Sequence, residues 1–167
     1  MLQIIELKVV PVVVDRTDPN WIKNLVGPFP SAIELAPANE RFPQVADWPE
    51  VDHSGKYGIA WFVGESFPSF EAVNQRLTAE GVGLERRTVL PHLISEIVPQ
   101  GDELWARQQC GEGPAWIFAS SLSSFWRGSG GVLYVPCVGL RPVYRELSAF
   151  WVECVFGDGF GFLIACE

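Results

Sequence analysis

The clearest element in the hydrophobic pattern is a helix over residues 68–81, PSFEAVNQRLTAEG. Ser69 is placed to cap its first turn, and Gly81 occupies the position where a left-handed residue ends many helices. Three apolar side chains recur at helical spacing and share one face: Phe70, Val73 and Leu77. The segment therefore predicts an amphipathic helix that packs one face on a core.

Most other apolar runs have the length and composition of β-strands. The N-terminal run is LQIIELKVVPVVV, in which Pro11 indicates a bend or a sheet edge. A central strand is predicted for YGIAWFVG at 57–64, because glycines bound a short apolar run. Further strands are predicted for PAWIFASSL and GVLYVPCVGL, and one or two more around Pro91 in GLERRTVLPHLISEIV.

Capping and turn residues assign three more segments. A short helix is predicted for DELWARQQ, where acidic residues come first and Arg107 comes late. A second helix is predicted to start in RPVYRELSAF, with Pro142 in its first turn. The C-terminal segment, FWVECVFGDGFGFLIACE, predicts a β-hairpin in which Asp158 and Gly159 supply the positive-φ positions of the turn.

These elements predict an α+β fold in a single globular domain over 1–167. We expect an antiparallel or mixed twisted sheet, one to three helices packed on one face, and the C-terminal hairpin. The segment at about 15–56 is rich in proline and shows no sustained period. A long irregular segment in a compact domain is commonly functional or mobile.

The net charge of the chain indicates which kinds of partner are electrostatically favoured. The formal net charge is −8, from 12 basic and 20 acidic side chains, and neither half of the chain is basic. This argues against nucleic acid and membrane surfaces and favours a partner protein with a basic surface. The N-terminus lacks a signal-peptide pattern, and no pair of the four cysteines has CxxC spacing. We therefore expect a cytoplasmic protein with reduced thiols and no cofactor.

The stretch SSFWRGSGG at 123–131 is the first candidate site. The pattern argues strongly against a phosphate-binding loop, because the glycines lead into a strand and no Lys-Ser or Lys-Thr follows them. Two interpretations remain: an ordinary turn between strands, or an exposed recognition loop carrying Trp126 and Arg127. Tryptophan and arginine are the residue types that most often anchor protein interfaces.

The second candidate site is ADWPEVDHSG at 46–55. Its carboxylates and His53 could bind a cation, but their spacing matches no known metal loop, and we predict no metal. The better functional interpretation is an acidic protein-binding surface with an aromatic anchor, formed by Asp47, Trp48, Glu50 and Asp52. The alternative is an ordinary solvated loop.

Catalytic signals are weak. No nucleophile elbow, zinc-protease or kinase motif is present, and a Cys–His pair would need a spatial contact that the sequence does not show. Glu153 alternates with Trp151 and Val155, so it either faces solvent or points inward as a buried carboxylate with a shifted pKa. Whether the protein is an enzyme stays open, with the balance against it.

The sequence thus predicts a non-enzymatic protein-binding domain, of the kind of a small acidic inhibitor or immunity-type protein that masks a basic partner. One alternative is a small-molecule-binding domain with an aromatic pocket, which could be lined by Trp61, Trp116, Trp126 and Trp151. The other is an enzyme that uses Glu or Cys–His chemistry.

Overall fold

Seven strands form one mixed sheet in the computed structural model, which describes residues 1–8, 17–18, 56–127, 132–142 and 145–166. The strands are β1 (Leu2–Glu6), β2 (Lys56–Phe62), β3 (Trp116–Phe118), β4 (Trp126–Arg127), β5 (Leu133–Leu140), β6 (Arg145–Trp151) and β7 (Phe160–Cys166). The α-helices are α1 (Phe70–Ala79), α2 (Leu90–Ile97) and α3 (Gly101–Gln109), and short 3-10 turns cover Leu84–Arg86, Val98–Gln100 and Leu122–Ser124.

The strand order places the last strand near the middle of the sheet. β3 and β4 pair with successive parts of the same side of β5, so the order across the sheet is β1, β2, β7, β3 with β4, β5, β6. β3 and β7 are parallel, and the other pairs are antiparallel. Among the described strands, β1 and β6 therefore form the two edges.

Both faces of the sheet are covered, because neighbouring residues of a strand point to opposite sides. On β2, Ile59 and Trp61 contribute to a first apolar cluster, which α2 covers with Leu90, Leu93, Ile94 and Ile97. Ala60 and Phe62 contribute to a second cluster, which α1 covers. We call the sides of the sheet that carry these clusters the first face and the second face.

Phenylalanine dominates the second face. Nine of the eleven phenylalanines in the chain pack there: Phe62, Phe67, Phe70, Phe118, Phe125, Phe150, Phe156, Phe160 and Phe162. Phe118 is central, with ring centroids 5.0 Å from Phe160, 5.3 Å from Phe156 and 5.4 Å from Phe150. Tilted and edge-to-face aromatic pairs of this kind each contribute about 0.5–1.5 kcal/mol beyond area burial.

The predicted α+β class, a single domain built on a mixed sheet, is confirmed for the described residues. The helix predicted over 68–81 is α1: the Ser69 hydroxyl accepts a hydrogen bond from the amide of Ala72, and Gly81 has a φ of 83°. The strand predicted at 57–64 is β2, and the helix predicted from DELWARQQ is α3. Pro11, and the proline-rich segment at about 15–56 apart from residues 17, 18 and 56, lie outside the described residues.

Four structural expectations were wrong. The helices pack on both faces rather than one. The strands expected around Pro91 are helical: Pro91 lies in the first turn of α2, where proline is tolerated. The helix expected in RPVYRELSAF is strand β6, which pairs with β5 along its whole length. Long-range strand pairing overrides local propensity there.

The fourth correction concerns the C-terminal hairpin. β6 pairs with β5, whereas β7 pairs with β2 and β3, so the two C-terminal strands are not neighbours. Among the described residues, positive φ occurs at Gly64, Gly81 and Gly111, and not at Asp158 or Gly159. The Gly-Asp-Gly sequence does form a turn, in which the amide of Phe160 donates to the carbonyl of Gly157. The strands on its two sides pair with other strands instead of with each other.

Gly139 of β5 provides a test of the packing. A Cβ at this position would lie 2.5 Å from the indole of Trp116, and the Arg141 guanidinium lies over the same ring, 4.8 Å from its centroid. We predict that Gly139→Ala lowers the free energy of unfolding by about 1–3 kcal/mol through overpacking. Chemical denaturation measures this value.

Gly157→Ala is the matched control, because a Cβ there meets no atom within 4 Å. We expect it to leave the free energy of unfolding within about 0.5 kcal/mol of the wild-type value. Equal effects of the two substitutions would contradict the close packing of Trp116 on Gly139.

Candidate protein-binding ridge

A ridge of exposed side chains follows β6. Along residues 151–155 exposure alternates: Trp151 and Val155 are 50% and 64% exposed, and Glu153 between them is also exposed. Val152 and Cys154 are half-buried and pack on the phenylalanine cluster of the second face. We call residues 151–155 the ridge.

Backbone hydrogen bonds hold the ridge in place from below. The amide of Phe70, at the start of α1, donates to the carbonyl of Val152 at 2.8 Å, and the amide of Cys154 donates to Trp151 at 3.0 Å. Just past the ridge, Phe156 and Phe67 exchange two backbone hydrogen bonds of 2.8 Å each, and Phe156 is fully buried. The exposed side chains therefore project from a fixed backbone.

Strand β5 brings the ridge next to the first predicted site. Trp126 of β4 lies opposite Tyr134 of β5, and Tyr134 lies opposite Trp151 of β6 on its other side. Arg127 lies opposite Leu133, whose carbonyl accepts a hydrogen bond of 3.1 Å from the amide of Val152. Trp126 and Arg127 thus occupy the strand position next to the ridge across β5.

Two more apolar side chains are exposed at this end of the sheet. Val132 immediately precedes β5, and Leu122 begins the 3-10 turn that leads into β4. Scattered apolar residues are normal on a surface, whereas exposed apolar residues grouped with a tryptophan are typical of an interaction site. Trp151 and Val155 are such a group within one short segment, and we therefore treat the ridge as the candidate site.

The sequence-predicted site residues fall into three groups. Trp126 and Arg127 lie beside the ridge, as described above. Glu153 lies on the ridge, in the turn after β6. Its side chain is exposed, so the alternative of a buried carboxylate at this position was wrong. The third group, Asp47, Trp48, Glu50 and Asp52, lies outside the described residues.

The described surface is acidic. Nine acidic side chains are exposed: Glu6, Glu71, Glu80, Glu85, Asp102, Glu103, Glu112, Glu153 and Asp158. Three basic side chains are exposed: Lys8, Lys56 and Arg107. Other arginines are partly buried in ion pairs, including Arg76 with Glu65 and Glu80, Arg141 with Glu146, and Arg145 with Asp102. Many of the arginines therefore pair with carboxylates of the same chain.

Two of the four tryptophans of the small-molecule alternative lie on opposite faces of the sheet. Trp61 belongs to the first face and Trp116 packs on the second, so these two rings cannot line one cavity. Trp61 instead forms the floor of a cleft of about 290 Å³, and its indole N–H donates to the carbonyl of Asp158. Gln3, Val63, Arg107, Gly111 and Glu112 line the rest of this cleft.

The residues considered for catalysis are spread over the fold. His92 lies on α2 over the first face, with its ring edge against Tyr57. Cys137 is fully buried on the second face, where burial raises the pKa of its thiol well above the usual range. Within the described ranges, no three His, Cys, Asp or Glu side chains are grouped so that they could hold a metal ion.

Among the described residues, no helix combines the length and the apolar character needed to cross a membrane. Comparisons with protein-family models, with curated proteins and with solved structures find no match to this chain. The function must therefore be argued from the site itself.

Thiol reactivity tests the arrangement of the cysteines. Cys110 is exposed, whereas Cys137 is buried and its raised pKa keeps it protonated well above neutral pH. We predict that a thiol reagent modifies Cys110 first in the native protein, and Cys137 only as the chain unfolds. Mass spectrometry of the labelled peptides gives the order.

Cys110→Ser should remove the earliest labelling step, and Cys137→Ser should leave it unchanged. Early labelling of Cys137 under native conditions would contradict the buried position of this thiol on the second face.

Proposed function

We propose that this protein is a non-enzymatic protein-binding domain, and that the ridge is the centre of its contact surface. The observation that carries the proposal is the half-exposed Trp151, which stands beside exposed Glu153 and Val155 on a backbone fixed by the phenylalanine cluster. Trp126 and Arg127 of β4 lie across β5 from the end of β6 at which the ridge begins.

The energetics of interfaces support this assignment. Tryptophan is among the residues whose truncation costs most binding energy, especially near the centre of a contact surface. A fixed backbone adds to affinity, because little conformational entropy is lost when the partner binds. An exposed tryptophan flanked by apolar residues on a rigid turn satisfies both conditions.

The charge distribution supports a basic partner. Nine acidic side chains face solvent against three basic ones in the described part of the chain, and the whole chain carries −8. Such a surface attracts a positively charged protein and raises its association rate. The physical model is a small acidic inhibitor that covers the working surface of a basic protein, as immunity proteins do against toxins.

A cytoplasmic location is part of the same proposal. All four cysteines carry free thiols in the structure, which is the state expected in a reducing compartment.

The test is a direct binding measurement with the proteins encoded beside this gene, by calorimetry on purified pairs. For a partner bound through the ridge, we predict that Trp151→Ala weakens affinity by roughly thirtyfold or more, as for a central interface tryptophan. Glu153→Lys should slow association, and added salt should weaken wild-type binding, because the encounter is steered by charge.

Leu84→Ala is the matched control, since Leu84 is 71% exposed but lies in the 3-10 turn after α1. It should bind as the wild type does. The proposal fails if none of the neighbouring proteins binds, or if Trp151→Ala and Glu153→Lys bind with unchanged affinity while folding normally.

A further inference from the structure

The cleft above Trp61 lies between strands β1 and β2 and the C-terminal end of α3. Its volume is about 290 Å³. Gln3 and Trp61, which lie opposite each other on β1 and β2, line one side, and Arg107, Gly111 and Glu112 line the other. The volume is just below the range of about 300–1,000 Å³ that is typical of pockets for drug-sized ligands, so the cleft suits a small metabolite.

The aromatic floor of the cleft is held in one orientation. Trp61 is buried, and its indole N–H donates a hydrogen bond to the carbonyl of Asp158. The carboxylate of Asp158 accepts a hydrogen bond of 2.7 Å from the amide of Gly64, so the same turn also fixes the chain just after β2. A ring that is fixed before a ligand arrives loses little conformational entropy on binding.

The charged side of the cleft is built on a fixed helix end. Gly111 has a φ of 71°, and its amide donates to the carbonyl of Gln108 at 3.0 Å. The amide of Glu112 donates to the carbonyl of Arg107 at 2.9 Å. These two hydrogen bonds form the Schellman motif that ends many helices. They hold the backbone of Arg107 and Glu112, two exposed residues of opposite charge, at the same cleft.

The two charges of the cleft favour two different groups of a ligand. Within the described ranges, neither Arg107 nor Glu112 belongs to an ion pair, whereas Arg76, Arg141 and Arg145 do. The carbonyl groups at the end of α3 carry partial negative charge, which adds to that of Glu112. A cationic group is therefore favoured beside Glu112, and an anionic group beside Arg107.

We propose that the cleft binds a free α-amino acid with an apolar or aromatic side chain. The ligand carboxylate pairs with the guanidinium of Arg107, and its ammonium group pairs with the carboxylate of Glu112. Its side chain lies against Trp61 and Val63, which supply the apolar surface of the cleft. The amide of Gln3 can both donate and accept a hydrogen bond, so it can contact either charged group of the ligand.

The charges of the protein favour a zwitterion over other small ligands. A zwitterion has no net charge, so the net charge of −8 on the chain does not repel it as it repels a purely anionic ligand. A purely cationic ligand would face the guanidinium of Arg107. An uncharged ligand would displace water from both charged groups without replacing its hydrogen bonds.

Calorimetry with L-phenylalanine, L-leucine and L-methionine tests the proposal. We expect saturable one-to-one binding of at least one of them to the wild-type protein. Arg107→Gln and Glu112→Gln should each raise the dissociation constant about fivefold or more, because each removes one charged contact. Both residues are exposed, so circular dichroism should show that these variants fold as the wild type does.

Lys56→Gln and Glu85→Gln are the matched controls. They make the same changes in charge at exposed positions outside the cleft, so they should bind as the wild type does. Trp151→Ala should also leave this binding unchanged, because the cleft does not depend on the ridge. A wild-type protein that binds none of the three amino acids overturns the proposal, and so does unchanged affinity in folded Arg107→Gln and Glu112→Gln variants.

Derivatives of the amino acid that binds best test the two charged contacts separately. Its amide lacks the carboxylate and its N-acetyl derivative lacks the ammonium group, so each should bind about fivefold more weakly or less. The indole N–H resonance of Trp61, assigned by its loss in Trp61→Phe, should shift as the amino acid binds. Undiminished affinity for either derivative, or a Trp61 resonance that does not move, contradicts the proposed site.

Discussion

The parallel pairing of β3 with β7 holds the two parts of this sheet together. Among the described strands, β1 and β2 connect to the rest of the sheet through β7, and β7 connects to β3, β4, β5 and β6 through this pair. The side chains of Ile59 and Pro114 pack closely over Gly161 of β7, where a Cβ would lie 2.5 Å and 2.7 Å from them. β7 therefore lies between two strands, β2 and β3, that come earlier in the chain.

The position of β7 also explains the candidate site. The chain leaves β6 at one edge and must pass the ends of β5 and of β3 with β4 before it enters β7. This connection crosses the second face, where Val152, Cys154 and Phe156 pack on the phenylalanine cluster. Val152 and Cys154 are half-buried against this cluster, and Trp151, Glu153 and Val155 are exposed. The fixed ridge is therefore a consequence of the strand order.

The sequence predicted the elements whose signals are local. The Ser69 cap and the spacing of Phe70, Val73 and Leu77 identified α1, and a short apolar run between glycines identified β2. The sequence-based prediction failed where pairing with a distant strand determines the secondary structure. The buried helix α2 has few polar residues, so no amphipathic pattern indicates a helix there. The sequence of β6 is compatible with the start of a helix, and its pairing with β5 makes it a strand. The Gly-Asp-Gly turn could be predicted from the sequence. That β6 pairs with β5, and β7 with β2 and β3, could not.

The same limit applies to the site. The alternation of Trp151, Glu153 and Val155 was readable, and so was the interface chemistry of Trp126 and Arg127. Their proximity was not, because it depends on β5 lying between β4 and β6. Nor could the sequence show that Trp151 is exposed and Trp116 is not. Both lie among apolar residues, but Arg141 and Phe150 pack against the Trp116 ring. The exposed part of the Trp151 ring adds little to the core, and this is the physical reason for proposing a binding role for it.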